Sequence, residues 1–474
     1  TSTMQNIQPL PVQSDKSGPR KFIIDEEYYR GDKYTTSQPL QFSEPQIIRD
    51  LRVITLQVEP FTWDPTSKEL LVQDEITLRI NYSDEPGVNE LTAFHRISSA
   101  FDKIYQAQVM NYEDYRSPIL ANTPPRIVML HGENNDPVFK MVVDNFALWK
   151  RQKGADVTLL STSVTGSSNT AIKSYLQGLY DNPQTRFDYL VIIGDVTGTF
   201  SVPAWSTENG FGDYPYQMLA GNDQLGDVFI GRISAENTTQ LVVILSKIYA
   251  YEKDIEVQNA EHLNRMLLVA DTAVSGISPR NLSYYIKEIS QMENPDYSYT
   301  ILAQHHPNPP DMNNAMNQGV GFFNFRGIGG MSGWSPSETS LQNINKLFHS
   351  IIITCNTGDY HMTATTEQMI RIGTSASPKG AVTSIGMWGN ETATMPNNAL
   401  CGGIYSGIFL YDMRTMGEAF LFTKLHFFEL YGISNPVMHS KFTQWCNLMG
   451  DPTMEIFISI PNTFNISAPA SVPA

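Results

Sequence analysis

From residue 126 to about 457, short runs of apolar residues alternate with helical stretches. This rhythm constrains the fold more than any other feature of the chain. Arg126–Leu130, Asp156–Leu160, Tyr189–Ile193, Val228–Ile233, Arg265–Ala270, Val320–Phe325, Ser350–Thr354 and Ala381–Ile385 read as buried strands. Helices are expected near Pro137–Lys153, Thr170–Tyr180, Thr239–Tyr251, Leu400–Leu410 and Gly417–Leu430. In the first of these, Val138, Met141, Val142, Phe146 and Trp149 fall at helical spacing. Near-continuous apolar strands separated by helices predict an α/β domain, a mostly parallel sheet covered on both faces.

The residues before this domain follow another rhythm. Arg52–Val58, Leu70–Val72 and Ile76–Ile80 alternate apolar and polar residues around a Pro/Asp-rich break. Period-two alternation predicts a small antiparallel β domain. The expected organisation is an N-terminal arm over 1–40, a β domain over 41–112, a linker over 113–125, the α/β domain over 126–457 and a Pro/Ser/Ala-rich segment over 458–474.

Composition narrows the function. The 32 Lys and Arg against 48 Asp and Glu leave a net charge of −16, which repels phosphate backbones and argues against a nucleic-acid partner. Only 17% of residues are charged, with Asn, Gln, Ser and Thr in their place, a mix that fits an extracellular or cell-surface protein. No apolar run approaches the roughly 20 residues a membrane span needs. The chain starts with Thr1 rather than Met, which predicts a chain already cut from a precursor. Three cysteines, Cys355, Cys401 and Cys446, are too few and too oddly numbered for a disulfide framework.

In an open α/β sheet, ligands bind beyond the carboxyl ends of strands. Two adjacent strand ends draw attention. One reads Phe325-Arg326-Gly327-Ile328-Gly329-Gly330-Met331-Ser332-Gly333-Trp334, the other Thr354-Cys355-Asn356-Thr357-Gly358-Asp359. Glycines there let backbone N–H groups approach a substrate, and a cysteine at such a tip faces the cleft with oxyanion donors nearby. Cys355 is therefore the candidate nucleophile, and Gly327, Gly329, Trp334 and Trp388 are candidate oxyanion or cleft residues.

These motifs resemble the gingipain-type cysteine peptidases, which share the caspase-like fold. In that family a strand ends in aromatic-x-Gly-His-Gly-x-x-x-x-Trp, and about 30 residues later a second strand ends in the catalytic cysteine, followed by Asn-Gly-Asp. Here the second motif is one residue longer. Gly221-Asn222-Asp223 with Val228–Arg232, and Gly450-Asp451-Pro452-Thr453, also agree. Leu51–Tyr82 resembles the family's propeptide domain, and Ala468-Pro469-Ala470 resembles the lead into its immunoglobulin-like domain.

The resemblance places Ile328 where the family has its catalytic histidine, and Asp271 near the acid that orients that histidine. Isoleucine cannot move a proton, so Cys355 lacks the base that raises its thiolate fraction and the acid that protonates a leaving amine. His305, His306 and His361 stand at no position the resemblance supports. Ser278-Pro279-Arg280-Asn281-Leu282 contains no acid where the family recognises basic residues, so that preference is not carried over. The resemblance also implies structural calcium, with Asp213, Asn222, Asp223 and Asp227 as oxygen donors, although no cofactor is required. The resulting expectation is a secreted, catalytically defective gingipain-like protein that binds a protein or peptide. The alternatives are an active cysteine endopeptidase with a displaced base, latent through its attached propeptide, and a subunit of an extracellular homo-oligomer or surface assembly.

Overall fold

A computed structural model describes residues 1–11, 21–31, 40–81, 85–91, 97–116, 123–208, 210–255 and 257–462. The tail containing Ala468-Pro469-Ala470, residues 117–122 of the expected linker and parts of the N-terminal arm lie outside the described residues.

The chain is built around a ten-stranded sheet. In chain order its strands are β1 (Arg126–His131), β2 (Asp156–Ser161), β3 (Tyr189–Ile193), β4 (Phe229–Ile233), β5 (Arg265–Asp271), β6 (Ser298–Gln304), β7 (Phe322–Arg326), β8 (Phe348–Ile352), β9 (Ala381–Met387) and β10 (Cys446–Met449). Their spatial order is β6-β5-β7-β8-β9-β10-β4-β3-β1-β2. Neighbours among β1 to β9 pair parallel, whereas β10 pairs antiparallel with β9, Met387 opposite Cys446, and meets β4 at a single bridge, Arg232 to Met449. The sheet is therefore nine strands running one way, with β10 reversed between β9 and β4. The carboxyl ends of β1 to β4 lie on the same side as those of β5 to β9. Ser234, just past β4, donates to Glu367 beyond β8, and at the other edge Tyr251, in the last turn of the helix that follows β4, bonds His349 at the start of β8.

Helices cover both faces. Pro137–Gln152 starts with Asp136 accepting the Val138 N–H, and with proline at the first turn. Its buried stripe is Phe139, Val143, Phe146 and Ala147, whereas Val138 and Met141 are exposed. The expected apolar face is thus turned by about one residue, because those two side chains lie outside the stripe that meets the sheet. Thr394–Phe409 and Met416–Tyr431 are buried nearly all round and form the densest layer over one face. On the other face of β5, β7 and β8, a second core gathers Leu267, Val269, Phe323, Phe325 and Trp334.

The N-terminal region holds short antiparallel pairs. Leu40–Phe42 pairs with Leu56–Val58, Gln46–Ile48 with Leu51–Val53, and Phe61–Asp64 with Glu69–Val72. Two expectations need correction. Arg52–Val58 is not one strand but parts of two, and Ile76–Ile80 forms no strand and lies exposed. The expected arm also contributes a strand, Ser2–Gln5, paired with Glu69–Val72. Its side chains are all exposed, so the backbone ladder holds it without an apolar pattern for sequence reading to find.

This region does not stand apart from the sheet. Ile48, Ile97, Phe101, Ile104, Tyr105 and Tyr112 join the same core as Tyr189 and Phe229, and Phe101 stacks on Phe229 at 4.4 Å. Arg49 is buried at the joint. Its guanidinium meets Asp188 at 2.8 Å and the Phe187 carbonyl at 2.7 Å, and its backbone N–H donates to Asp227 at 2.8 Å. All these partners lie at the amino ends of β3 and β4. The N-terminal domain therefore sits at the opposite edge of the sheet from the carboxyl ends of β7 and β8, and its Lys103 also meets Asp412 in the loop after Thr394–Phe409.

Candidate active site

The parallel register of β5, β7 and β8 brings their ends together. Ala270 lies opposite Arg326, and Phe325 opposite Ile352, so the residues that follow emerge side by side. The Thr354 hydroxyl donates to the Gly327 carbonyl at 3.0 Å, tying the two turns. Arg326, buried below them, donates to the Ile353 carbonyl and, at 2.9 Å, to Asn398. The two glycines explain the spacing. A Cβ on Gly327 would fall 2.7 Å from the Asp271 Cβ, and one on Gly329 would fall 3.4 Å from the Cys355 Cβ. Ile328 is held between a residue against Asp271 and a residue against Cys355.

Cys355 is partly exposed, whereas Cys401 and Cys446 are buried. Burial pushes each of those two thiols up to about 12. The Cys355 Sγ lies 3.0 Å from the Thr392 hydroxyl. Its turn is fixed by the Asn356 N–H donating to the Gly389 carbonyl at 3.1 Å and the Gly358 N–H to the Met387 carbonyl at 2.9 Å. Asn356 takes a left-handed φ of 58° to make this turn.

Asp271 is fully buried and already engaged. It caps the short helix Thr272–Ser275 by accepting the Ala273 N–H at 2.8 Å. It also accepts the His306 N–H at 3.2 Å, faces His306 Nδ1 at 3.2 Å, and accepts the Ser332 hydroxyl. Burial pushes its carboxyl up, but the bonds from Ser332, Ala273 and His306 outweigh this and hold it below its ordinary value. Asp271 is thus ionised, and it orients an imidazole from β6 rather than from β7. The His306 side chain is 65% exposed. From the end of β6 to the end of β8 is three strand steps, roughly 14 Å at about 4.8 Å per step. His306, tied to Asp271, is outside hydrogen-bond reach of Cys355.

The other sequence-predicted residues divide. Trp388 borders the turn of Cys355, with its ring 5.9 Å from Trp445. Trp334 is not a cleft residue. It is buried in the second core, 5.8 Å from Phe323, and its indole N–H donates to Asn313. His361 is exposed and packs edge-on against Phe211 at 5.5 Å.

The four oxygen donors expected for calcium do not fit that ion. Both Asp213 oxygens accept from Arg232, at 2.8 and 2.6 Å. Asp227 accepts three backbone N–H groups, from Arg49, Leu219 and Ala220. Asp223 accepts the N–H groups of Ile47 and Leu225, and Asn222 donates its own N–H to Asn89. Among the described residues no three His, Cys, Asp or Glu converge as metal ligands. Asp223 and Asp227 instead receive the N-terminal domain.

Sequence reading missed Thr392, Asn397, Ser332 and the His306–Asp271 contact. Thr392, Asn397 and His306 belong to no motif of recognisable spacing, and Ser332 falls at an unspecified position of the Phe325–Trp334 motif. Only the left-handed backbone at Met331 and Ser332, φ 47° and 57°, marks the turn as unusual.

Comparison with known proteins agrees with this geometry. The family model "Peptidase family C25" matches residues 120–457, and the family's propeptide model, Propeptide_C25, matches residues 1–119. Gingipain R2 of Porphyromonas gingivalis is 25% identical over 470 residues, covering 94% of this chain and 62% of that protein. Lys-gingipain HG66 of the same organism is 25% identical over 505 residues, covering 98% of this chain and 28% of that protein. The chain thus spans less than two thirds of the length of these relatives. The crystal structure of the Arg-specific cysteine proteinase gingipain R superposes with a TM-score of 0.64 at 21% identity, over 75% of this chain and 84% of that one. The complex of the RgpB pro- and mature domains gives 0.63 at 21% identity, over 73% and 83%. With both family models matched end to end, the chain belongs to peptidase family C25 and carries that family's propeptide domain.

Proposed function

We propose that this chain is a secreted or cell-surface member of the family that does not cleave peptides and acts by binding a protein or peptide partner. One observation carries the reading. The residue held between Gly327 and Gly329, packed against Asp271 and Cys355 respectively, is Ile328. A cysteine peptidase needs a proton carrier there twice, to form the thiolate and to protonate the leaving amine. The acid that would orient such a carrier is bound to Ser332 and His306. Removing one member of a catalytic unit costs several orders of magnitude in rate. The attached N-terminal domain fits the same reading, since a protein that releases no active enzyme gains nothing by shedding it. The test is incubation of the full chain with a mixed peptide library followed by mass spectrometry. No Cys355-dependent cleavage is expected, and cleavage lost in Cys355→Ala overturns the reading.

A second reading, a working peptidase with a displaced base, is favoured by the His306–Asp271 contact alone. It requires His306 to leave Asp271 and cross about two further strand positions. His306→Ala abolishing any observed cleavage would select it.

A further inference from the structure

Where the two halves of the sheet meet, a buried ionic cluster ties the Cys355 turn to the ends of β3 and β4. The helix Thr365–Arg371 follows that turn and carries both Glu367 and Arg371. The Arg371 guanidinium lies 2.9 Å from Glu367, 3.1 Å from Asp195 past β3 and 3.0 Å from Glu236 past β4. It also donates to the Ser234 carbonyl at 3.0 Å and to the Ser234 hydroxyl at 2.9 Å, and that hydroxyl donates in turn to Glu367. The second Glu367 oxygen accepts the Ala364 N–H at 2.7 Å, closing the amino end of the helix. Beside it the Thr366 N–H donates to the Thr357 carbonyl at 3.0 Å, and the Thr357 hydroxyl donates to the Thr354 carbonyl at 2.9 Å. The cluster is thus bonded directly to the segment that holds Cys355.

The charges in this cluster do not balance. One guanidinium serves three carboxylates, and two of these, Asp195 and Glu367, are buried. The other cations nearby do not make up the difference. Arg232 on β4 is taken by Asp213. Lys247, on the helix Thr238–Glu252, donates to the Ile370 carbonyl at 2.7 Å and the Met369 carbonyl at 3.3 Å, at the far end of Thr365–Arg371. Buried carboxylates that share one site do not both ionise freely, and one of them holds a proton to a higher pH.

We propose that this cluster is a proton-operated clasp: with a proton on Glu367, the helix Thr365–Arg371 is locked to the ends of β3 and β4, and loss of that proton loosens the helix together with the Cys355 turn. Burial pushes the Glu367 carboxyl up to about 7, with Arg371 pulling it down and Asp195 adding to the rise. The folded value lies above the ordinary 4.5, so the locked state holds the proton more tightly. Its stabilising effect is complete below that ordinary value and is lost as pH rises through neutrality. The clasp acts whether or not Cys355 cleaves peptides.

The experiment is hydrogen exchange of the native full chain, read by mass spectrometry from about pH 5 to pH 9 and corrected for the intrinsic rate at each pH. Peptides covering 354–371 are compared with β5 as the internal reference. Between pH 6 and pH 8 their protection relative to β5 should fall roughly tenfold in the unaltered protein. In Glu367→Gln, which has no carboxyl to titrate, the change should stay under about twofold. Asp195→Asn removes the neighbouring charge and should move the midpoint of the loss to lower pH, and this variant decides the matter if Glu367→Gln does not fold. Protection that is unchanged across the range in the unaltered protein, a Glu367→Gln profile as steep as the unaltered one, or an Asp195→Asn midpoint that stays in place or rises overturns the proposal.

Discussion

Two polar clusters lie at opposite edges of the sheet. At one, β3 and β4 receive the N-terminal domain through Arg49. At the other, β7 and β8 end in Ile328 and Cys355. The joint has its charges countered: Arg49 faces Asp188 at 2.8 Å and Asp50 at 3.5 Å, and Asp188 also accepts the hydroxyl of Ser98 at 2.5 Å and the Arg126 N–H at 2.8 Å. At the cysteine edge Ile328 stands between Gly327 and Gly329, and Asp271 is bound by Ser332 and His306. The difference teaches where this sequence still matches the demands of its fold. Buried charge joins the two domains through Arg49, whereas at the other edge Asp271 is taken up by Ser332 and His306.

The comparison breaks if the joint can be cut without consequence. Arg49→Ala leaves the Asp188 and Asp50 carboxylates buried without their partner, and removing one member of a buried pair costs about 3–5 kcal/mol. Urea unfolding should show that loss, and limited proteolysis should cut the N-terminal domain first. Cys355→Ala serves as the control at the other cluster. An Arg49→Ala protein as stable as the control would mean that the domain is merely resting on the sheet.

Next in size is an attempt to rebuild the missing base. Ile328→His alone should give no measurable peptide cleavage, because Asp271 already holds Ser332 and His306. Adding Ser332→Ala and His306→Ala frees that carboxylate. A correctly oriented acid–base group is worth on the order of 10²-fold or more, so the triple variant should exceed the single one by about that factor in a fluorogenic peptide assay. Equal activity in the single variant would show that Asp271 is not the limiting partner.

The smallest effect concerns Asp227, the acid that receives the Arg49 backbone. Burial pushes its carboxyl up to about 7, against the pull of the Ala220, Arg49 and Leu219 N–H groups. Its folded value thus lies above its ordinary 3.8, so the folded state holds the proton more tightly and stability falls as pH rises through that window. Asp227→Asn does not titrate and loses an acceptor, at a cost of about 1–3 kcal/mol. Its deficit relative to the unaltered protein should shrink between pH 5 and pH 8 in urea titrations. A deficit that grows with pH would mean that Asp227 is ionised at the joint.

Much of the fold is legible in the residues. Tyr189–Ile193 is a strand over its whole predicted length, since an uninterrupted apolar run bounded by polar residues has few alternatives. The reversal between the two halves of the sheet is not legible. It rests on β10, four residues long and flanked by a helix, which carries no period of its own. Edge strand β6, which His305 and His306 follow, carries no continuous apolar run, since its burial mixes exposed and intermediate positions. At the site, motif spacing leads to Cys355 and to the position held by Ile328. The partners of Asp271 and Cys355 escape it, because His306 arrives from another strand and Thr392 from a loop 37 residues on. The expected calcium ligands fail for a physical reason the sequence hides. Their oxygens are consumed by Arg232 and by backbone N–H groups that the fold brings from far along the chain.

The most direct measurement of the central claim is peptide cleavage by the unaltered full chain, set beside Cys355→Ala, over a library that includes both basic and apolar side chains. With Ile328 at the place of the proton carrier, the two proteins should give indistinguishable peptide maps after prolonged incubation near neutral pH. New cleavage products from the unaltered chain that vanish in Cys355→Ala would contradict the account and show that Cys355 has found a base.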